Sequence, residues 1–156
     1  MSTTASRKTQ EARQQQSFEL GDLDHMIGYQ LRRAQTTLFH NFSKRIGHRN
    51  ITPGQFGLLI KIKNNPGVSQ TGLARAEGIE RSTLGEIIDR FEKRELVERR
   101  RHAEDRRAYA LHLTPAGQTF LDQVTPEVFA NDLEVAHRLT DEERQQLLCL
   151  LRKLTV

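Results

Sequence analysis

Arginine is concentrated in one short stretch of this chain, Val97 to Thr114, which reads VERRRHAEDRRAYALHLT. Asp105, Arg106 and Arg107 stand together within it, just after Glu104. A guanidinium is always charged and offers a planar fork of donors, so two of them on a loop are suited to a polyanion. A narrow DNA minor groove concentrates negative potential and draws arginine into it. Asp105 can fix a neighbouring arginine in place and so lower the ordering cost of binding. A second set lies just upstream: Arg81, Ser82, Thr83, Glu86 and Arg90. Arg81 suits the two major-groove acceptors of guanine, Ser82 and Thr83 suit a base edge or a phosphate, and Glu86 can accept from cytosine N4. Arg90, with Lys93, suits phosphate. Taken alone, this second set is also an ordinary charged helix face with i,i+4 pairs Glu86–Arg90 and Asp89–Lys93. Followed by the arginine-rich turn, it points to DNA.

These side chains need elements to hold them. Val97, Arg99 and Arg101 share one face of an alternating run, and Tyr109, Leu111 and Leu113 share one face of another, with Ala108, Ala110 and His112 opposite. Period-two alternation on both sides of a turn predicts a half-buried β-hairpin with its tip at His102 to Arg107. Leu84, Ile87, Ile88 and Phe91 fall at i, i+3, i+4 and i+7, which predicts a helix beginning near Glu80 to Ser82. Its outward side then carries Arg81, Ser82, Gly85, Glu86, Asp89 and Arg90. Gly78-Ile79 joins it to a short helix capped by Ser69, the layout of a helix-turn-helix.

The flanking segments are helical as well. Leu23, Ile27, Leu31, Ala34, Leu38 and Phe42 predict a long amphipathic helix from Leu23 to Ile46, ended by Gly47. Thr52-Pro53-Gly54-Gln55 predicts a capping box, and Asn64-Asn65-Pro66-Gly67 stops the helix it opens. Thr114-Pro115 opens a fifth helix, with a kink or restart expected at Thr125-Pro126. Thr140-Asp141-Glu142-Glu143 caps a last helix that carries Leu147, Leu148, Leu150, Leu151 and Leu154. The fold class is therefore mainly α with a small β-hairpin wing: a winged helix-turn-helix domain over residues 49–114. Residues 1–20, rich in Ser, Thr, Gln and charge, are expected to form a disordered or partner-ordered arm.

Composition narrows the function. Hydrophobic residues make up 36% of the 156, which is thin for a self-sufficient core and points to burial against a second subunit. No apolar run approaches a membrane span and no signal segment opens the chain, so a cytoplasmic location is expected. The single cysteine, Cys149, excludes an internal disulfide and a cysteine-based zinc finger; its leucine-rich surroundings predict a buried, inert thiol. The six histidines form no HxxxH or HxxH pair, so no metal site is expected. No nucleophile–base constellation or phosphate loop is present, so neither an enzyme nor a cofactor is expected. The net charge is +4, yet residues 25–76 carry net +8 with no acid at all. Such a run is either a surface facing anions or a solvated basic face.

Leu73-Ala74, Ser82-Thr83-Leu84, Ile88-Asp89-Arg90-Phe91-Glu92, Leu96-Val97 and, above all, Asp105-x-Arg107-x5-Leu113-Thr114 resemble the MarR family of bacterial winged-helix regulators, and the following Pro115-Ala116-Gly117 fits it too. The resemblance covers about residues 24–154. It implies a triangular homodimer built on the first, fifth and sixth helices, that is on a helical dimerisation region of 21–48 and 115–156. The two winged lobes would bind double-stranded DNA at a pseudo-palindromic operator, with Arg107 in the minor groove and Asp105 supporting it. Two places depart from the family pattern. Gly85-Glu86 stands where a threonine or serine followed by arginine is often found. Glu95 stands where a glycine is common, so the end of the recognition helix is expected to be built differently.

Many members of that family release DNA when a small aromatic acid or phenol binds beside the dimer helices. On the first helix Tyr29, Arg33, Thr36 and His40 lie along one side at helical spacing, an aromatic, a cation and an imidazole that can hold a flat carboxylate. His25 and Arg32 are further candidates; the alternative is a polar face beside the dimer seam. The expected function is a ligand-responsive repressor released by a small aromatic carboxylate or phenol. The rival is a constitutive DNA-binding or architectural dimer with no effector.

Overall fold

The computed structural model of the chain describes residues 18–101 and 109–155. Contacts divide the described residues into two units, with the boundary between Thr36 and Thr37. In the first, a 3-10 turn at Gly21–His25 precedes the start of helix α1 (Ile27–Ile46), whose residues from Thr37 onward belong to the second unit. The helix expected from Leu23 is interrupted because Met26 is extended, at φ −89° and ψ 119°. Asp24 is held back instead: Gln30 Nε2 donates to its backbone O at 2.7 Å and to its Oδ1 at 3.0 Å.

The second unit follows the capping signals closely. Thr52 Oγ1 accepts from the Gln55 amide at 3.3 Å while Gln55 Oε1 accepts from the Thr52 amide at 3.2 Å, opening α2 (Pro53–Asn64). Ser69 accepts from the Gly72 amide at 3.0 Å and opens α3 (Gln70–Glu77). Helix α4 (Arg81–Lys93), strands β2 (Val97–Arg101) and β3 (Tyr109–Leu113), α5 (Pro115–Val135) and α6 (Asp141–Leu154) complete the order. One strand escaped the sequence: β1 (Val68–Ser69), whose two residues pair with Leu111 and Ala110 to give an antiparallel sheet of order β1-β3-β2. Two residues are too short for alternation to register.

The predicted kink at Thr125-Pro126 does not divide α5, which runs as one helix from Pro115 to Val135 with Pro126 inside it. The proline still removes the amide that would have donated to the Asp122 carbonyl. The core gathers Leu59 and Ile62 of α2, Leu84, Ile88 and Phe91 of α4, Leu111 of β3, and Leu121 and Val124 of α5. Contact between α5 and the turn that leads into β2 is tight: a Cβ on Gly117 would stand 2.0 Å from the Leu96 carbonyl oxygen, so only glycine fits.

Large apolar side chains are exposed on α1, where Ile27, Leu31 and Phe39 stand out, and again on the last two helices. Phe129 and Leu133 of α5 are 64% and 54% exposed, and Leu147, Leu150 and Leu154 of α6 are 44%, 50% and 57% exposed. Cys149 is exposed too, against expectation. The reason is that α6 does not turn its leucines onto the protomer's own core.

Candidate nucleic-acid interface

Helix α4 and the helix before it end by the same device. After α3, Gly78 takes φ +64°; its amide bonds to the Arg75 carbonyl at 3.2 Å and the Ile79 amide to that of Ala74 at 3.1 Å. After α4, the Glu95 amide bonds to the Glu92 carbonyl at 2.8 Å and the Leu96 amide to that of Phe91 at 2.9 Å. Both are Schellman endings, with an apolar residue just beyond the turn. Glu95 itself sits at φ +57°, the left-handed region that favours glycine. The expectation of a differently built helix end is therefore corrected: the glycine conformation is kept and glutamate adopts it.

With its inner stripe buried, α4 presents Arg81, Ser82, Thr83, Glu86 and Arg90 to solvent. None of these five side chains bonds or pairs with another described residue. The i,i+4 pair Asp89–Lys93 does not form, because Asp89 turns to Arg99 on β2 at 2.7 Å. Arg99 is the hub of the site: it also pairs with Glu92, and donates to Gln70 Oε1 and the Gly85 carbonyl, each at 3.3 Å. Its backbone amide donates to Glu92 Oε1 at 3.0 Å. One side chain thus ties α3, α4 and the first wing strand together. Gly85 permits this, since a Cβ there would stand 3.3 Å from Gln70 Nε2.

The two wing strands pair in the register Val97↔Leu113, Arg99↔Leu111 and Arg101↔Tyr109, which is the predicted hairpin. The tip candidates Asp105, Arg106 and Arg107 lie outside the described residues. Beside the far end of α4, a cleft of about 320 Å³ is lined by Asn50, Gln55, Arg90, Phe91, Lys93 and Arg94. A second, of about 460 Å³, opens on the other side of the wing and is lined by Lys63, Glu98, Arg100 and His112 among others.

The acid-free run of residues 25–76 does not make one free cationic surface. Arg33 meets Asp24 at 3.9 Å, Arg49 meets Glu127 at 2.5 Å, Lys63 meets Asp122 at 3.7 Å, and Arg45 and Lys61 pair with Glu134 and Glu77. The balancing acids come from elsewhere in the sequence. The Arg49 hydrogen bond holds the Glu127 carboxyl below the usual carboxylate range, and the same bond raises the Arg49 pKa.

Of the effector candidates, Tyr29 and Arg33 come together, with the guanidinium 5.8 Å from the ring centre. Thr36 Oγ1 donates to the Arg32 carbonyl at 2.9 Å. His25 ends the 3-10 turn rather than standing on the helix, and His40 is exposed on α1. Neither cleft above is lined by any of these six residues. Sequence reasoning missed Arg49, Arg94 and the role of Arg99; an arginine on the inward face of a strand, opposite carboxylates at i and i+3 of the preceding helix, was the available signal for the last.

Comparison with known proteins bears on this arrangement. The model of the MarR family matches residues 51–109. A Thauera aromatica protein named as transcriptional regulatory protein for the hcr operon is 37% identical over 135 residues, 86% of this chain and 81% of that protein. The structure of the transcriptional repressor CouR bound to a 23-mer DNA duplex superposes with a TM-score of 0.84 at 31% identity, over 90% of this chain and 99% of that one. CouR bound to p-coumaroyl-CoA gives a TM-score of 0.79 at 30% identity, over 89% of this chain and 98% of that one.

Proposed function

The chain belongs to the MarR family of transcriptional regulators, and from that premise we propose that it is a homodimeric repressor whose hold on a pseudo-palindromic operator is released by a small aromatic carboxylate or phenol. The observation that carries the DNA reading is the outer face of α4. Arg81, Ser82, Thr83, Glu86 and Arg90 are exposed and unengaged among the described residues, while the opposite face is buried and the helix is braced by Arg99. A helix so held can enter a major groove with its N-terminal residues foremost. Asp105, Arg106 and Arg107 fall between the two wing strands and are assigned to the adjacent minor groove, Arg107 as the inserted residue and Asp105 as its support. Two such lobes must stand roughly 34 Å apart to reach successive major grooves.

The effector reading is supported by CouR, of which a DNA-bound and a p-coumaroyl-CoA-bound structure both match this chain. Tyr29 and Arg33 are assigned to the aromatic and anionic ends of the ligand, with His25, Arg32, Thr36 and His40 as neighbours. A ligand that favours another lobe spacing draws the population away from the DNA-competent form.

A mobility-shift assay against the DNA upstream of the protein's own gene tests the first reading. Arg107→Ala is expected to weaken specific binding by roughly tenfold or more at fixed salt, with unchanged helical circular dichroism. Affinity should also fall steeply with salt as phosphate contacts release counterions. Unaltered affinity of the variant defeats the wing assignment. Thermal-shift screening with aromatic carboxylates and phenols tests the second: stabilisation accompanied by operator release supports it, and no response across the panel leaves a constitutive DNA-binding dimer.

A further inference from the structure

Helix α5 has two characters. Its first half belongs to the lobe, with Leu121 and Val124 fully buried; its second half exposes Phe129 and Leu133. Pro126 lies between them and removes one backbone hydrogen bond from the helix. Arg49, in the 3-10 turn Gly47–Arg49 after α1, reaches across this weakened place. It donates to Gln123 Oε1 at 3.4 Å on one side of the proline and to Glu127 Oε1 at 2.5 Å on the other. His48 of the same turn stands 3.6 Å from the second Glu127 oxygen.

The turn is joined in its own right to the recognition helix. Arg94, the residue that ends α4, donates to the Asn50 carbonyl at 2.6 Å and to the Arg49 carbonyl at 3.0 Å. The same guanidinium lies 5.1 Å from the centre of the Phe120 ring on α5. Phe120, Gln123 and Glu127, at i, i+3 and i+7, therefore form one stripe of α5 that meets the end of α4 directly through Arg94 and indirectly through Arg49.

We propose that Arg94 and Arg49 are positioning residues that lock the C-terminal end of the recognition helix to α5 across its proline turn, so that the direction of α5 sets the angle at which α4 meets DNA. Neither touches DNA in this assignment. The brace rests on the reading of α4 as the recognition helix, and adds to it the element whose movement α4 must follow. Only arginine serves at position 94, because one planar group has to bridge two carbonyls and stack on a ring.

Hydrogen exchange tests the brace without DNA. In Arg49→Ala, amides of the last turn of α4 should exchange about tenfold faster, although the Arg49 side chain gives its hydrogen bonds to α5 and none to that helix; in Arg94→Ala, acceleration should reach the α5 amides around Asp122–Glu127. Changes confined to each residue's own contacts overturn the proposal. Operator binding supplies a second arm, on DNA with the natural half-site spacing and with one base pair inserted. Wild-type affinity should drop sharply on insertion, whereas Arg94→Ala should bind the natural site about tenfold more weakly and lose much less on insertion; Arg94→Lys should not restore the wild-type dependence. Equal insertion losses in wild type and Arg94→Ala indicate general destabilisation and also overturn it. Absence of specific binding by the wild type, with the exchange pattern intact, falls instead on the assignment of α4 to DNA.

Discussion

Glu95 shows how a single residue can keep a family's backbone while abandoning its side chain. The end of α4 demands a left-handed residue so that the chain can reverse into β2, and at the end of α3 the same demand is met by Gly78. A residue with a Cβ spends roughly 1–2 kcal/mol to sit there, partly offset because it has less unfolded-state freedom to lose than glycine. Glu95→Gly should accordingly raise the unfolding free energy by about 1 kcal/mol in urea titration, with DNA affinity unchanged. A loss of stability would mean that the glutamate side chain makes a compensating contact. The strain was invisible in the sequence. A glutamate gives no sign of positive φ, and only the pairing of its amide with Glu92 and that of Leu96 with Phe91 reveals the turn. Gly85 is the reverse case, a substitution with a legible cause once Arg99 is seen donating to its carbonyl and Gln70 lying where a Cβ would point.

At the level of elements, local chemistry spoke most clearly where caps and apolar periodicity coincide. Thr52, Ser69, Thr114 and Thr140 all cap the helices that their spacing predicted. What remained hidden depends on partners distant in sequence: β1 exists because Val68 and Ser69 meet Leu111 and Ala110, and α5 continues through Pro126 because packing outweighs one lost hydrogen bond. The docking of the turn after α1 on α5 belongs to this class, and its chemistry has a pH signature. Arg49 holds the Glu127 carboxyl below its ordinary value, so the pair's contribution is complete above the unfolded carboxylate pKa and is lost as pH falls through the folded one. The raised Arg49 pKa acts only in strong alkali and does not oppose this trend. Thermal melts should show wild type exceeding Glu127→Gln at about pH 5, where the carboxylate faces both Arg49 and His48, and the margin should narrow below about pH 4. A gap that persists unchanged into acid would assign the difference to packing rather than charge.

For the molecule as a whole, the modest hydrophobic content is explained by where the apolar side chains go. The lobe core is closed by Leu59, Ile62, Leu84, Ile88 and Leu111, all buried, and owes nothing to α6. Leu147, Leu150 and Leu154 at i, i+3 and i+7 of α6, with Phe129 and Leu133 on α5, are left exposed instead. Exposed apolar groups of this size, repeated at helical spacing, are what a helical seam between two copies would bury. Placing a carboxylate in that seam should separate the copies while sparing the lobe. Leu150→Glu is therefore expected to sediment as a monomer at micromolar concentration while retaining the helical signal. Its operator affinity should fall by about 10²-fold or more, because the second half-site no longer profits from a linked first one. A variant that remains dimeric, or a monomer that binds the full operator as tightly as wild type, would show that the assembly uses another surface.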